Sequence, residues 1–229
     1  MNLNYKDNAM DITILNVPFN EKQKAKNLGA LWNNDIKRWY VPSHLNLEAF
    51  AKWAPQTSEP TATVNIQPSY YLVESHARCW KCKAVTKVYS FACTGLQDID
   101  WSRPHRGFYV LDYITTLPHE LAQCIGHHKP YFKDYSKTTN SWYVMNHCEH
   151  CMAQQGDHFM HREPGNPFTP LEAQDCGHIK LIKLNHVDSL LSLDCGFHTD
   201  SEDGVIRHHA EALAFDTWRR SSNQDIREN

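Results

Sequence analysis

The 229-residue chain lacks any apolar run long enough to cross a bilayer. Its longest uninterrupted apolar stretches are about five residues, against the roughly 20 that a spanning helix needs. The opening residues, Met1 to Asp7, lack the apolar core of a secretory signal and read as part of a polar leader over residues 1–10. The expectation is a cytoplasmic protein that does not enter membranes. An excess of positive charge is also missing. With 23 Lys and Arg against 26 Asp and Glu, the formal net charge is −3. That excludes binding to nucleic acid through a global basic field and leaves only a local patch. Charge is uneven: residues 1–56 hold 7 basic and 5 acidic side chains, whereas residues 171–229 hold 6 and 11. The acidic C-terminal part is the least suited to touch phosphate.

Several reaction signatures are missing too. There is no G-x-x-x-x-G-K-[ST], G-x-G-x-x-G, G-x-S-x-G or H-E-x-x-H. A P-loop, a dinucleotide fingerprint, a nucleophile elbow and a zincin helix are therefore not signalled. No carboxylate cluster stands out as a two-metal centre, and no catalytic residue is assigned.

What the chain does have is cysteine, eight in all. In a reducing compartment these read as metal ligands or buried thiols before disulfides. Four fall in two Cys-x-x-Cys knuckles, Cys79-Trp80-Lys81-Cys82 and Cys148-Glu149-His150-Cys151. Each follows an aromatic, apolar run, Tyr70-Tyr71-Leu72-Val73 and Trp142-Tyr143-Val144-Met145, so the pattern is strand then tight turn, twice. Two cysteines separated by two residues can aim both sulfurs at one ion, and two such knuckles close a tetrahedral zinc site. Cys79, Cys82, Cys148 and Cys151 are the predicted ligands of one structural Zn2+. Four thiolates leave zinc no open position, so this ion would not be a Lewis-acid catalyst. Two redox pairs or buried thiols are the competing readings. His147 and His150 flank the second knuckle, as ligand substitutes or beside the sulfurs. Thr86 to Ala92 reads as the return strand of a zinc-ribbon hairpin, and the 65 residues between the knuckles call for extra structure.

Upstream, Ile12 to Val17 reads as a strand and Asn20 as the cap of a helix ending at Gly29. A hairpin follows around Asn33-Asn34-Asp35, then a short helix from Leu47 to Trp53. Leu15-Asn16-Val17-Pro18-Phe19, Leu28-Gly29-Ala30, Trp32 and Lys37-Arg38-Trp39-Tyr40-Val41-Pro42 resemble the small DUF5710 module over about residues 11–55. That family has no established activity. The resemblance implies a bacterial, mobile-element or plasmid setting, because the module sits N-terminally in plasmid primase-like and other DNA-processing proteins. Residues 70–170, around Asn146 to Cys151 and His161 to Phe168, are similar to bacterial proteins in which a zinc-ribbon-like segment follows such a module. In the module, Trp32, Trp39 and Tyr40 can stack on bases beside Lys37 and Arg38, or simply form the core of so small a unit.

The remaining chain reads less sharply. Pro55, Pro60 and Pro68 mark a linker. Phe108 to Ile114 is a strand and Leu117 to Gly126 a weak helix; Lys129 to Asn140 is a polar loop. Ile179 to Leu184 is a strand, and Val205 to Arg220 a helix with Ile206, Ala210, Leu213, Ala214 and Trp218 on one face. Asp157, His158, His161 and Glu163 are a weak candidate metal set. Cys176, His178, Cys195 and His198 are a second candidate, against isolated buried thiols beside loop histidines. Cys93 and Cys124 read as core thiols, and His127-His128 and His208-His209 as surface pairs.

The expected architecture is α+β: a small N-terminal α/β module (1–54), a linker (55–69), a zinc-ribbon-like, mostly β domain with a long insertion (70–171), and an acidic extension with a C-terminal helix (172–229). The expected function is zinc-stabilised, non-enzymatic binding of nucleic acid or a protein partner in bacterial DNA metabolism. Trp80, Lys81 and Lys83 on the first knuckle, with Lys37 and Arg38, are the candidate contacts. The alternative is a metal-dependent nucleic-acid-processing or defence enzyme using an Asp/Glu/His cluster away from the structural zinc.

Overall fold

The computed structural model describes residues 12–55, 61–100, 102, 104–126, 129–199 and 205–225. The polar leader, part of the linker (56–60) and His127-His128 lie outside the described residues. The chain divides into two compact units, residues 1–59 with 132–143, and residues 60–131 with 144–229. The architecture is mixed α+β and mostly sheet. Among the described residues, no helix is long and apolar enough to cross a membrane.

The smaller unit opens with β1 (Thr13–Leu15), α1 (Lys22–Asn27), β2 (Leu31–Asn33) and β3 (Arg38–Val41). The strands form an antiparallel sheet of order β1-β3-β2. Leu15, Ala25, Ala30, Val41, Phe50 and Trp53 are buried together beneath it. Gly29 stands at φ +101°, and a Cβ there would lie 2.8 Å from the Leu45 side chain, so the turn after α1 requires glycine. The expected turn between β2 and β3 forms because the Asn33 side chain accepts from the amides of Asp35 and Ile36. The expected cap at Asn20 does not form. Phe19–Glu21 is a 3-10 turn and Glu21 precedes α1 with no side-chain cap. Glu21 instead accepts from Trp53 Nε1 at 2.7 Å and pairs with Lys52, holding the 3-10 segment Leu47–Phe50 and its end against the module.

The larger unit contains β4 (Val64–Ile66), β5 (Tyr70–Arg78), β6 (Val85–Asp98), β7 (Pro104–Asp112) and α2 (His119–Ile125). Next in chain order come β8 (Tyr131–Ser136), of which 132–136 belong to the smaller unit, and β9 (Ser141–His147), of which 141–143 do; β10 (Gln154–Gln155) and α3 (Asp157–His161) are again in the larger unit. The chain ends in β11 (Lys180–Lys183), β12 (Leu191–Leu193), β13 (Gly196–Thr199), α4 (Val205–His209), β14 (Glu211–Ala214) and α5 (Phe215–Asp225). Strand β6 is the hub of the main sheet. It pairs with β5 over nine positions, with β4 beyond them, and with β7 on its opposite edge. Strand β11 continues the sheet beyond β5, and β13 lies on the far side of β7. Strands β8, β9 and β10 make a separate three-stranded sheet of order β10-β9-β8. The core joins Tyr70, Leu72, Tyr89, Phe91, Leu111, Leu121 and Ile182.

Three local expectations are overturned by pairing. Val64–Ile66 falls within the expected linker, but Val64 and Ile66 are buried and pair between β6 and β12. The polar stretch from Lys129 to Asn140 contains strand β8, with Tyr131, Asp134 and Ser136 turned inward. The single helix expected over Val205 to Arg220 is two helices interrupted by β14. Its residues Glu211 to Ala214 pair in parallel with Lys180 to Lys183, and the gain of a sheet partner outweighs helical periodicity.

A buried carboxylate fastens the last helix. Glu74, on β5, accepts from Trp218 Nε1 at 2.8 Å and pairs with Lys180 Nζ at 3.0 Å. Trp218→Phe keeps the ring but removes the only indole donor in that triangle. It should cost about 1–3 kcal/mol in urea unfolding. An unchanged midpoint would show that the bond does not hold α5.

Candidate metal centre

Each knuckle is the turn of a hairpin, the first joining β5 to β6 and the second joining β9 to β10. The two turns repeat the same bonds. The amide of Cys79 donates to the carbonyl of Ala84 at 2.8 Å, and Lys83 N donates to Cys79 O at 3.0 Å. The amide of Cys148 donates to Ala153 O at 2.9 Å, and Met152 N donates to Cys148 O at 2.8 Å. The residue after each second cysteine, Lys83 at φ 65° and Met152 at φ 58°, is left-handed. That reversal lets both sulfurs of a knuckle face one point.

The four sulfurs converge. All lie within 4.8 Å of one another, with Cys79 Sγ 3.7 Å from Cys151 Sγ and Cys82 Sγ 3.6 Å from Cys148 Sγ. Zinc–thiolate bonds of about 2.3 Å at tetrahedral angles separate sulfurs by about 3.8 Å. The donor set and its spacing therefore fit a zinc ion. Sulfurs of a disulfide would be about 2 Å apart, and these are free thiols.

Backbone donors prepare the charge. Burial raises the Cys79 thiol, but the amides of Cys82 and Lys81 and the neighbouring thiols hold it down to about 6. Burial pushes Cys148 up to about 12, against the amides of His150 and Cys151, while the thiols of Cys82 and Cys79 add to the rise. One thiolate is thus favoured and its neighbours resist ionising beside it. A divalent cation reverses that balance and admits all four. Gln155 Nε2 donates to Cys79 Sγ at 3.4 Å and to Ala153 O at 2.9 Å, so it orients a ligand and its own knuckle together.

The two hairpins are also tied to each other. Asn146, at the end of β9, accepts from Tyr89 N at 2.7 Å and donates to Tyr89 O at 2.8 Å. Its side chain thereby substitutes for a strand partner of β6. Thr86 Oγ1 accepts from Glu149 N at 3.0 Å.

The other expected residues are placed as follows. Trp80 is 62% exposed, its indole N–H donating to Gln154 O at 2.7 Å. Lys81 and Lys83 are exposed on the same turn, and Lys83 Nζ donates to Trp80 O at 2.6 Å. Lys37 is exposed, but the Arg38 guanidinium is engaged by the buried Asp134 at 2.7 Å. Trp32 and Trp39 meet edge to face, with Trp32 exposed. His150 is exposed and contacts Val85 O at 2.9 Å, whereas His147 is fully buried. Cys93 and Cys124 are core thiols, which burial raises to about 12 and about 11.

Neither candidate second metal set assembles as expected. His158 and Glu163 face outward, while Asp157 and His161 are buried. Cys176 joins an apolar cluster with Val73, Phe108 and Phe168. Cys195 is pushed up strongly by burial and the charges around it. His161 and His198, taken from different sets, instead meet Asp112, which the sequence did not single out. Gln155 and Asn146 were also missed, since a lone amide carries no spacing signal.

Residues 13–55 match the model of a family described as a domain of unknown function, DUF5710. Two curated relatives are both DNA primase TraC from Escherichia coli. One is 44% identical over 57 residues and the other 43% over 54, each match covering 24% of this chain. The matches cover 5% and 4% of those proteins, so the chain spans about a twentieth of their length. No solved structure matches. The family match covers residues 13–55, under a fifth of the chain.

Cys79→Ser and Cys148→Ser should each abolish tight zinc retention, measured as metal per chain, and lower the melting temperature of the larger unit. Structural zinc contributes its binding free energy to folding, about 10 kcal/mol or more in small zinc peptides. Gln155→Ala should leave the ion in place but weaken it about 10-fold or more in chelator competition.

Proposed function

We propose that the protein is a zinc-stabilised, ribbon-like binding module that contacts single-stranded DNA through the tip of its first knuckle. The observation that carries this reading is the exposed Trp80 ring set among basic residues on the turn between Cys79 and Cys82. Arg78, Lys81 and Lys83 surround it, all exposed. An exposed indole costs apolar surface in water, and a base stacking on it recovers roughly 1–3 kcal/mol, with neighbouring cations taking the phosphates. The indole N–H bond to Gln154 and the Lys83 bond to the Trp80 carbonyl fix the tip before any partner arrives. Little ordering entropy then remains to be lost on binding.

Two further points support the reading. About a quarter of the chain is similar to a segment of DNA primase TraC of Escherichia coli, which supports DNA metabolism as the setting. The near-neutral chain argues for a small local footprint over an extended basic groove. The four-cysteine ion serves as scaffold and stays out of the chemistry, since its coordination sphere is filled. Lys37, exposed on the N-terminal module, is a secondary contact, while Arg38 is committed to Asp134.

Fluorescence anisotropy with a labelled single-stranded oligonucleotide, at several salt concentrations, tests the reading. Trp80→Ala should weaken binding about 10-fold or more at unchanged melting temperature. Lys81→Ala with Lys83→Ala should reduce the salt slope by about 1.4, roughly 0.7 per lost phosphate contact. An affinity indifferent to both substitutions, or no binding at low salt, would move the partner to a protein.

A further inference from the structure

The larger unit buries a second group of potential ligands that the four-cysteine centre does not use. Asp112 is the last residue of β7, His161 the last of α3, and His198 lies in β13. They come from three separate elements, yet one donor atom from each lies within 4.8 Å of the others. Asp112 and His161 are buried, and the His198 side chain is nearly so.

Their polar atoms are incompletely satisfied. Among the described residues, Asp112 Oδ1, Nδ1 of His161 and Nδ1 of His198 have no hydrogen-bond partner, and Asp112 Oδ2 has only an ion pair. A buried polar atom left this way costs about 1–3 kcal/mol. The Arg162 guanidinium does lie 2.6 Å from Asp112 Oδ2 and balances its charge from the surface side. It does not supply the two imidazoles. Nδ1 of His198 is 3.7 Å from Asp112 Oδ2, too long for a hydrogen bond. Metal bonds of about 2.1 Å at tetrahedral angles place two ligands about 3.4 Å apart, close to that separation.

The surroundings aim the groups as a ligand set. Nε2 of His198 faces the carbonyl of Phe168 at 3.3 Å. A proton held there leaves Nδ1 as the lone-pair nitrogen, the usual arrangement for an imidazole ligand oriented by a backbone acceptor. The His161 ring lies against Phe168 with centroids 4.6 Å apart and meets the His198 ring nearly at right angles at 5.3 Å. The two rings therefore converge without stacking on each other.

Glycine makes room for the carboxylate. Gly196 is the cross-strand partner of Asp112, and a Cβ there would fall 2.0 Å from Asp112 Oδ1. Any larger residue would expel the oxygen from its place. The sequence thus spends a glycine inside a strand, where it weakens pairing, to admit a charged group.

We infer that Asp112, His161 and His198 form a second metal centre that holds a divalent transition ion of the zinc, manganese or iron(II) class. The nitrogen and oxygen donors suit such ions, and the absence of sulfur disfavours copper(I). Three protein ligands leave at least one coordination position free, unlike the saturated four-cysteine site. This centre is independent of the DNA-binding reading and requires neither Trp80 nor the knuckle lysines.

The test uses the full chain, first loaded with zinc and freed of excess, then titrated with cobalt(II) under anaerobic conditions. Metals are counted by mass spectrometry. The expected wild-type result is two ions per chain, the second giving weak ligand-field bands without thiolate charge transfer. Asp112→Asn, His198→Gln and Gly196→Ala should each hold one ion. Chains grown with cobalt should keep their thiolate charge-transfer band in all three variants, which reports that the larger unit is folded. Gly196→Ala retains every ligand and so tests the geometry alone. If the wild type saturates at one ion, or if the folded variants still bind two, the second centre does not exist.

Discussion

The structure depends on bringing four sulfurs, two of them buried, from turns far apart in sequence to within bonding reach of one point. The first pair comes from the β5–β6 turn and the second from the β9–β10 turn. Without a cation the arrangement opposes itself, because burial raises the thiols and one thiolate discourages the next. Each knuckle also holds a non-glycine residue, Lys83 or Met152, in a left-handed conformation. Such residues cost roughly 1 kcal/mol or more each. A zinc–thiolate cluster is strong enough to offset these terms together. The bonds from Asn146 to Tyr89 and from Thr86 to Glu149 then extend the junction from the ion into the sheets.

A metal bound there would have a consequence for the surface. A short turn that exposes an indole would ordinarily be mobile or would bury the ring. Here a bound ion would fix the turn at both cysteines, the indole N–H is bonded to Gln154, and Trp80 stays outside with lysines beside it. On the proposed reading, scaffold and recognition would occupy adjacent residues and do separate work. The Asp112, His161 and His198 group differs from the cysteines in every relevant respect. Its potential donors are nitrogen and oxygen, and they come from three elements.

The two groups also differ in how far the sequence discloses them. Cys-x-x-Cys between strand-like runs is a local signal, because two residues fix where both sulfurs point. The strands beside it, and the hairpin around Asn33, were legible for the same reason. Asp112, His161 and His198 have no such spacing. Gly196 opposite Asp112 becomes meaningful only once β13 is paired with β7. Residues 205–220 mislead more directly. Ile206, Ala210, Leu213, Ala214 and Trp218 keep helical spacing, but β11 offers an unpaired edge and draws Glu211–Ala214 into a parallel strand. Strand β8 is hidden by polar composition, since its inward residues include Asp134, which meets Arg38 within the smaller unit. In each case a partner distant in sequence decides the local structure.

The central claim is that one ion bound by Cys79, Cys82, Cys148 and Cys151 holds the two hairpins together. Chelator titration of the full chain, followed simultaneously by zinc release and circular dichroism, tests it most directly. The account predicts that loss of the tightly held zinc and loss of sheet signal occur together, and that both return on adding zinc under reducing conditions. Release of all zinc with the sheet signal and melting temperature unchanged would contradict it.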